Sequence, residues 1–144
     1  MPIMPESDKK EIIKRASFLK RKGYHIGKPD DYSVDFFNEK KSTRISMFYE
    51  RYDEHCDVSI RFLDTKDSFY MGWFAFCEKD KKIDVFERKV DRILYLVDFM
   101  KKSFNKITSL EYCKSIQAEI DELFEKNHPE LNIVNGLVLG CKDK

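Results

Sequence analysis

The sequence predicts an α+β fold: an N-terminal helix, an antiparallel meander of four to five strands, two long C-terminal helices packed on the sheet, and a short apolar C-terminal tail. Three observations carry this expectation. Between Thr43 and Phe76, three runs of apolar residues recur with a period of two, which gathers their side chains on the faces of pleated strands. After Glu78-Lys79-Asp80-Lys81-Lys82 the period changes. Phe86, Val90, Ile93, Leu94, Val97, Met100 and Phe104 then recur three and four apart, the spacing of an amphipathic helix. A second stripe of the same kind follows a polar link near Asn105 to Ile107.

In chain order, Ser7 has the character of a helix N-cap, and Asp8 and Glu11 suit the positive end of a helix dipole. Ile12, Ile13, Ala16 and Leu19 form the apolar stripe, and Gly23 is a natural stop. The rest of this helix carries Lys9, Lys10, Lys14, Arg15, Lys20, Arg21 and Lys22, the densest charge in the chain. On one reading these cations are a solvated surface whose last-turn members complement the dipole. On the other, Lys10, Lys14 and Arg21 contact phosphate, with Tyr24 free to stack on a base. No nucleic-acid-reading motif accompanies the stripe, so nucleic acid is not the expected partner.

Gly27 to Asp31 composes a turn, and Tyr32, Val34 and Phe36 a first strand, with a short extra strand around Tyr24 to Ile26. Ile45, Met47 and Tyr49 define the next strand. Val58, Ile60 and Phe62 follow, alternating with Ser59 and Arg61 to give one apolar and one wet face. The links Asp53-Glu54-His55 and Asp64-Thr65-Lys66-Asp67 are short enough for hairpins. From Ser68 to Phe76 both registers are apolar, which predicts the most buried strand, Phe69 to Phe76, covered on both sides. Phe69, Met71, Trp73 and Ala75 would meet the long helices. The opposite set, Tyr70, Gly72, Phe74 and Phe76, would be covered by the first helix or would form an aromatic interface patch.

The first long helix is expected from about Asp84. Thr108 with Glu111 reads as a capping box opening the second, whose stripe is Leu110, Cys113, Ile116, Ile120, Leu123 and Phe124. The short link makes the two helices antiparallel neighbours. Asn127-His128-Pro129 ends the second helix. The tail from Leu131 to Gly140 reads as a packed edge strand, or as a segment that docks on a partner or a second copy of the chain.

Bulk properties narrow the function. The 144 residues fit one domain, 1–144. Hydrophobic residues at 42% exclude a disordered chain, and a net charge of +1 gives no global field to attract nucleic acid. The opening residues lack the apolar core of a signal peptide, and no apolar run approaches the ~20 residues that span a bilayer. A cytoplasmic protein without membrane contact is expected. Cys56, Cys77, Cys113 and Cys141 form no CxxC and are expected as thiols. The three histidines, His25, His55 and His128, sit in or beside turns. Glu50, Asp53, His55, Cys56 and Asp57 crowd ligand-type side chains together, yet neighbours on an extended chain point to opposite faces, so His55 and Cys56 would need an irregular loop to grip one ion, and a charged hairpin is the expectation. The five glycines make no phosphate-cradling loop. No metal, no cofactor and no catalytic residue set is implied.

One helix, an antiparallel meander and two helices, without a catalytic signature, is a layout that resembles the small α+β immunity proteins of bacterial toxin systems. The resemblance implies a non-enzymatic protein-binding module, immunity or antitoxin-like, that buries a surface against another protein or a second copy of itself. Surplus aromatics beside charges nominate Tyr49, Glu50, Arg51, Tyr52 and Asp53 for that surface, extended by Tyr70, Phe74 and Phe76. The alternatives are a nucleic-acid binder using Lys10, Lys14 and Arg21, and a small enzyme.

Overall fold

A computed structural model describes residues 3–50, 55–77, 86, 88–127, 131–134 and 137–141. The chain enters at α1 (Glu6–Arg15), whose N-cap is Pro5 in extended conformation at φ −62 and ψ 152. Ser7 therefore lies inside the first turn and makes no capping bond. Proline suits this place because its fixed φ leads into the helix and its missing N–H is not needed there. The expected single helix breaks at Ala16 and Ser17, resumes for one turn as α2 (Phe18–Arg21), and ends at Gly23, where φ is +92. Only glycine adopts that conformation without strain.

Five antiparallel strands follow in spatial order β1-β2-β3-β4-β5: β1 (His25–Ile26), β2 (Ser33–Asn38), β3 (Thr43–Tyr49), β4 (Cys56–Phe62) and β5 (Asp67–Tyr70). This is the predicted meander with its short first strand. Val34, Phe36, Ile45, Met47, Val58 and Ile60 are all 0% exposed and line one face. Across them lies α4 (Lys89–Lys102), packed on β4 and β3, which buries Val90, Ile93, Leu94, Leu96, Val97 and Met100. The expected helix start near Asp84 lies outside the described residues.

The helix α1 packs against α4 and β2, tied by the Arg15 Nη1 to Asp98 Oδ2 pair at 2.6 Å. It therefore shares the apolar face with α4 and, among the described residues, leaves the second face uncovered, against the expectation that it would cover it. Chemistry explains the choice: α1 has one apolar stripe to bury, and the second face offers mainly serine, arginine and aspartate, which water solvates.

The largest departure is in the third run. After β5 the backbone turns into α3 (Met71–Cys77), so the expected strand to Phe76 ends at Tyr70. A helix selects Met71, Phe74 and Ala75 for burial, at spacings of three and four, instead of Met71, Trp73 and Ala75. Trp73 is accordingly 36% exposed and Phe76 54% exposed. An apolar run without alternation suits either a doubly covered strand or a helix, and here tertiary contacts choose the helix.

Beyond α4, a one-turn helix α5 (Phe104–Ile107) precedes α6 (Leu110–Asn127). Thr108 does not open α6: its Oγ1 donates to the Phe104 carbonyl at 2.9 Å and closes α5. Ser109 takes the capping role, its Oγ accepting the Tyr112 N–H at 3.3 Å. The C-terminal helices lie on the apolar side of the sheet, α4 directly and α6 through α3 and α5, with Trp73 and Phe124 edge to face at 4.8 Å. The tail forms its own antiparallel hairpin, β6 (Leu131–Val134) with β7 (Leu137–Cys141), and β6 packs on α6. It is thus a separate two-stranded sheet rather than an edge strand of the meander. Among the described residues no helix is long and apolar enough to cross a membrane.

Candidate functional site

The uncovered face of the sheet is built by the same alternation that builds the core. If Ile45 and Met47 point inward, Arg44, Ser46 and Phe48 must point outward, and likewise Ser59 and Arg61 on β4. The register then fixes the neighbours. Arg44 stands opposite Arg61, Ser46 opposite Ser59, Arg61 opposite Ser68 and Ser59 opposite Tyr70. Asp35 stands opposite Ser46 and Ser33 opposite Phe48. Serines are short, so they make a floor, and the longer side chains rise around it as walls. The result is an open groove of about 360 Å³ lined by residues of β2 to β5, with Glu50 at its end. Phe48 and Tyr70 meet edge to face across it at 6.3 Å.

Its lining holds two arginines, Arg44 and Arg61, and two carboxylates, Asp35 and Glu50. Arg61 Nη1 reaches only the Ser68 Oγ, at 3.5 Å. Arg44 Nε is buried and has no hydrogen-bond acceptor. Among the described residues neither arginine has a carboxylate within ion-pair distance. Asp35 shares the face and instead accepts the Ser33 hydroxyl at 3.3 Å. Like charges directly opposite each other across a strand pair are destabilising, and an unmet buried donor costs about 1–3 kcal/mol.

One end of the groove is anchored where β5 becomes α3. Asp57, 3% exposed, accepts the Val58 N–H at 2.7 Å and the Gly72 N–H at 3.0 Å, so its carboxylate caps the start of α3. Arg92 Nη1 donates to the Cys56 carbonyl. A Cβ on Gly72 would stand 2.8 Å from Arg92 Nη2 and 2.9 Å from Asp57 Oδ2, so glycine is what lets these groups approach the turn. His55 is exposed, with Nε2 3.5 Å from Asp57 Oδ2, while Cys56 points inward and its thiol donates to the Lys89 carbonyl at 3.4 Å. The expected divergence of His55 and Cys56 is therefore found.

The nominated docking residues are dispersed. Glu50 and Tyr70 come together on the groove, both half-buried. Tyr49 is 5% exposed; its hydroxyl donates to Asp8 Oδ2 at 2.8 Å, and burial together with that acceptor drives its pKa well above the ordinary tyrosine value. Phe74 is in the core at 2% exposure, whereas Phe76 is exposed on α3 beside Trp73. Arg51, Tyr52 and Asp53 lie outside the described residues. Of the alternative set, Lys10 and Lys14 are exposed on α1 and Arg21 is exposed on α2, beyond the break. Tyr24, expected to stack on a base, is 3% exposed and hydrogen-bonded through its hydroxyl to Thr43 Oγ1 at 2.7 Å.

Burial favours the protonated form of Cys56, Cys77 and Cys113. Cys113 is pushed up to about 12 and Cys56 and Cys77 are also raised, the reverse of what an activated nucleophile needs. His128 lies outside the described residues, and His25 is exposed, stacked on Phe37 and 3.9 Å from Glu39. Sequence reasoning missed Arg44, Arg61 and Phe48 as site residues. The signal was present, because Ser59 and Arg61 already marked a wet face whose register partners could be counted outward from the β3–β4 link.

Compared with known proteins, the chain matches no family model, no curated protein and no solved structure.

Proposed function

We propose that this chain is a non-enzymatic protein-binding module, of immunity or antitoxin type, that docks another protein on the open face of its sheet. The observation that carries this reading is the groove itself: two arginines without carboxylate partners among the described residues, set beside Phe48 and Tyr70. Arginine and tyrosine are the residues that dominate binding energy at interfaces, and desolvating an arginine that already lacks an acceptor costs less than breaking an existing pair. The rigid strands hold these side chains in place before the partner arrives, which lowers the ordering cost of association. Glu50 and Tyr70 keep their nominated roles, joined by Arg44, Phe48 and Arg61. Tyr49 and Phe74 act by supporting the sheet from behind.

The test is photo-crosslinking in cells with a benzophenone amino acid at Ser59 on the groove floor and, separately, at Lys10 on α1. A discrete adduct from position 59 and none from position 10 is expected. An adduct from position 10 alone would move the interface to the basic helix and overturn the reading of the groove as the working surface.

A further inference from the structure

We infer that the groove seats a dianionic phosphate group, held between the guanidinium groups of Arg44 and Arg61 over the hydroxyls of Ser46, Ser59 and Ser68. The inference deepens the docking reading at the same site and rests on it only in taking the open face as the working surface. The register places the two arginines directly opposite each other, an arrangement that is unfavourable until a negative charge lies between them. Their donors are unspent: Arg44 Nε is buried without an acceptor, and Arg61 makes one long contact to Ser68. An oxyanion between them would meet the buried donor and neutralise the repulsion in one step, by charge-assisted and bidentate hydrogen bonds.

Charge decides which oxyanion. Two guanidinium groups carry two positive charges, which a phosphate monoester at about −1.5 to −2 near pH 7 matches and a single carboxylate does not. The number of donors agrees, since three terminal oxygens can take the guanidinium N–H groups and the serine hydroxyls together. The carboxylates of Asp35 and Glu50 also stand on the groove lining and repel a dianion more than a monoanion, so the preference for phosphate comes from the two guanidinium groups that face each other across the strands. Phe48 and Tyr70 supply an apolar flank for whatever the phosphate is attached to.

The experiment follows the Nε–Hε resonances of Arg44 and Arg61 in nitrogen-15-labelled protein during titration with inorganic phosphate, a glycine-phosphoserine-glycine peptide and acetate. Both phosphates should shift these two resonances saturably, while acetate needs at least about tenfold higher concentration. Affinity should fall below about pH 6, where phosphate loses its second charge. The double substitution Arg44→Gln with Arg61→Gln should weaken phosphate binding at least about tenfold, and Ser59→Glu should abolish it by placing a carboxylate on the floor. The source of the group is read from the two phosphates: tighter binding of the peptide indicates a phosphorylated protein, equal binding a free phosphorylated small molecule. Unmoved arginine resonances, acetate binding as tight as phosphate, or binding that survives the double substitution would each overturn the inference. A crosslink from position 59 without phosphate binding would sink this inference alone, whereas phosphate binding without that crosslink would sink the docking reading alone.

Discussion

Ile45 and Arg44 are neighbours in the chain and opposites in the fold. The first is 0% exposed under α4, and the second stands on the groove wall with a buried donor unmet. Every strand from β2 to β4 repeats this division: the inner face gains from burying apolar surface, and the outer face retains charge and hydroxyl groups that give the fold little. The difference teaches that the inner face specifies the structure, while the outer face is free to carry function. It also predicts unequal responses to mutation.

The largest effect belongs to the inner face. Ile60→Ala should lower unfolding free energy by about 3–4 kcal/mol, measured by urea denaturation, because a fully buried side chain leaves a cavity under α4. If Arg61→Ala, one residue along, cost as much, the two-face division would fail.

Next comes the junction between the faces. Asp57→Ala removes the acceptor for the Gly72 N–H, and should destabilise by about 2 kcal/mol. Trp73, the one tryptophan of the chain, sits on α3 and reports this turn directly by its fluorescence. Asp57→Asn, which keeps an acceptor oxygen, should recover part of the loss; an Asn variant as unstable as Ala would mean that the cap is not what holds α3.

A weaker effect sharpens the same boundary. Trp73→Ala should cost about 1–2 kcal/mol, less than a core aromatic, because the side chain is 36% exposed, with ring contacts to Phe76 and Phe124. A loss above about 3 kcal/mol would restore the strand reading, in which Trp73 faces the core.

The pH dependence has a definite sign. The Cys113 thiol is raised from 9.0 to about 12 by burial, so between these values the unfolded chain releases a proton that the folded chain keeps. Stability contributed by this group is complete below pH 9 and is lost as pH rises towards 12. Cys113→Ala should flatten that alkaline slope in urea midpoints taken across the window; an unchanged slope would assign it to other groups.

Much of this fold was legible in the sequence. The period-two runs through Val34, Ile45 and Val58 located three strands, and the three-four spacing from Val90 to Met100 located α4, because both patterns follow directly from which face is buried. The path after Tyr70 was not legible. Residues 69 to 76 are apolar at nearly every position, so periodicity cannot separate strand from helix, and the outcome depends on Asp57, fifteen residues away, capping the turn at Gly72. The α1 cap was missed because Pro5 supplies by backbone geometry what Ser7 was expected to supply by hydrogen bonding. The candidate site was half legible: Glu50 and Tyr70 were nominated for their aromatic and charged character, but Arg44 and Arg61 become a pair only once strand register is counted.

The smallest expected effect on stability coincides with the largest on function, and that coincidence is the central claim. Arg44→Ala with Arg61→Ala should leave the urea midpoint nearly unchanged, within about 0.5 kcal/mol, since it removes two half-buried side chains with an unmet donor between them and relieves a like-charge pair. In the same variant, the adduct formed from the benzophenone residue at position 59 should disappear. An adduct that persists at full yield in a stably folded double variant would contradict the account.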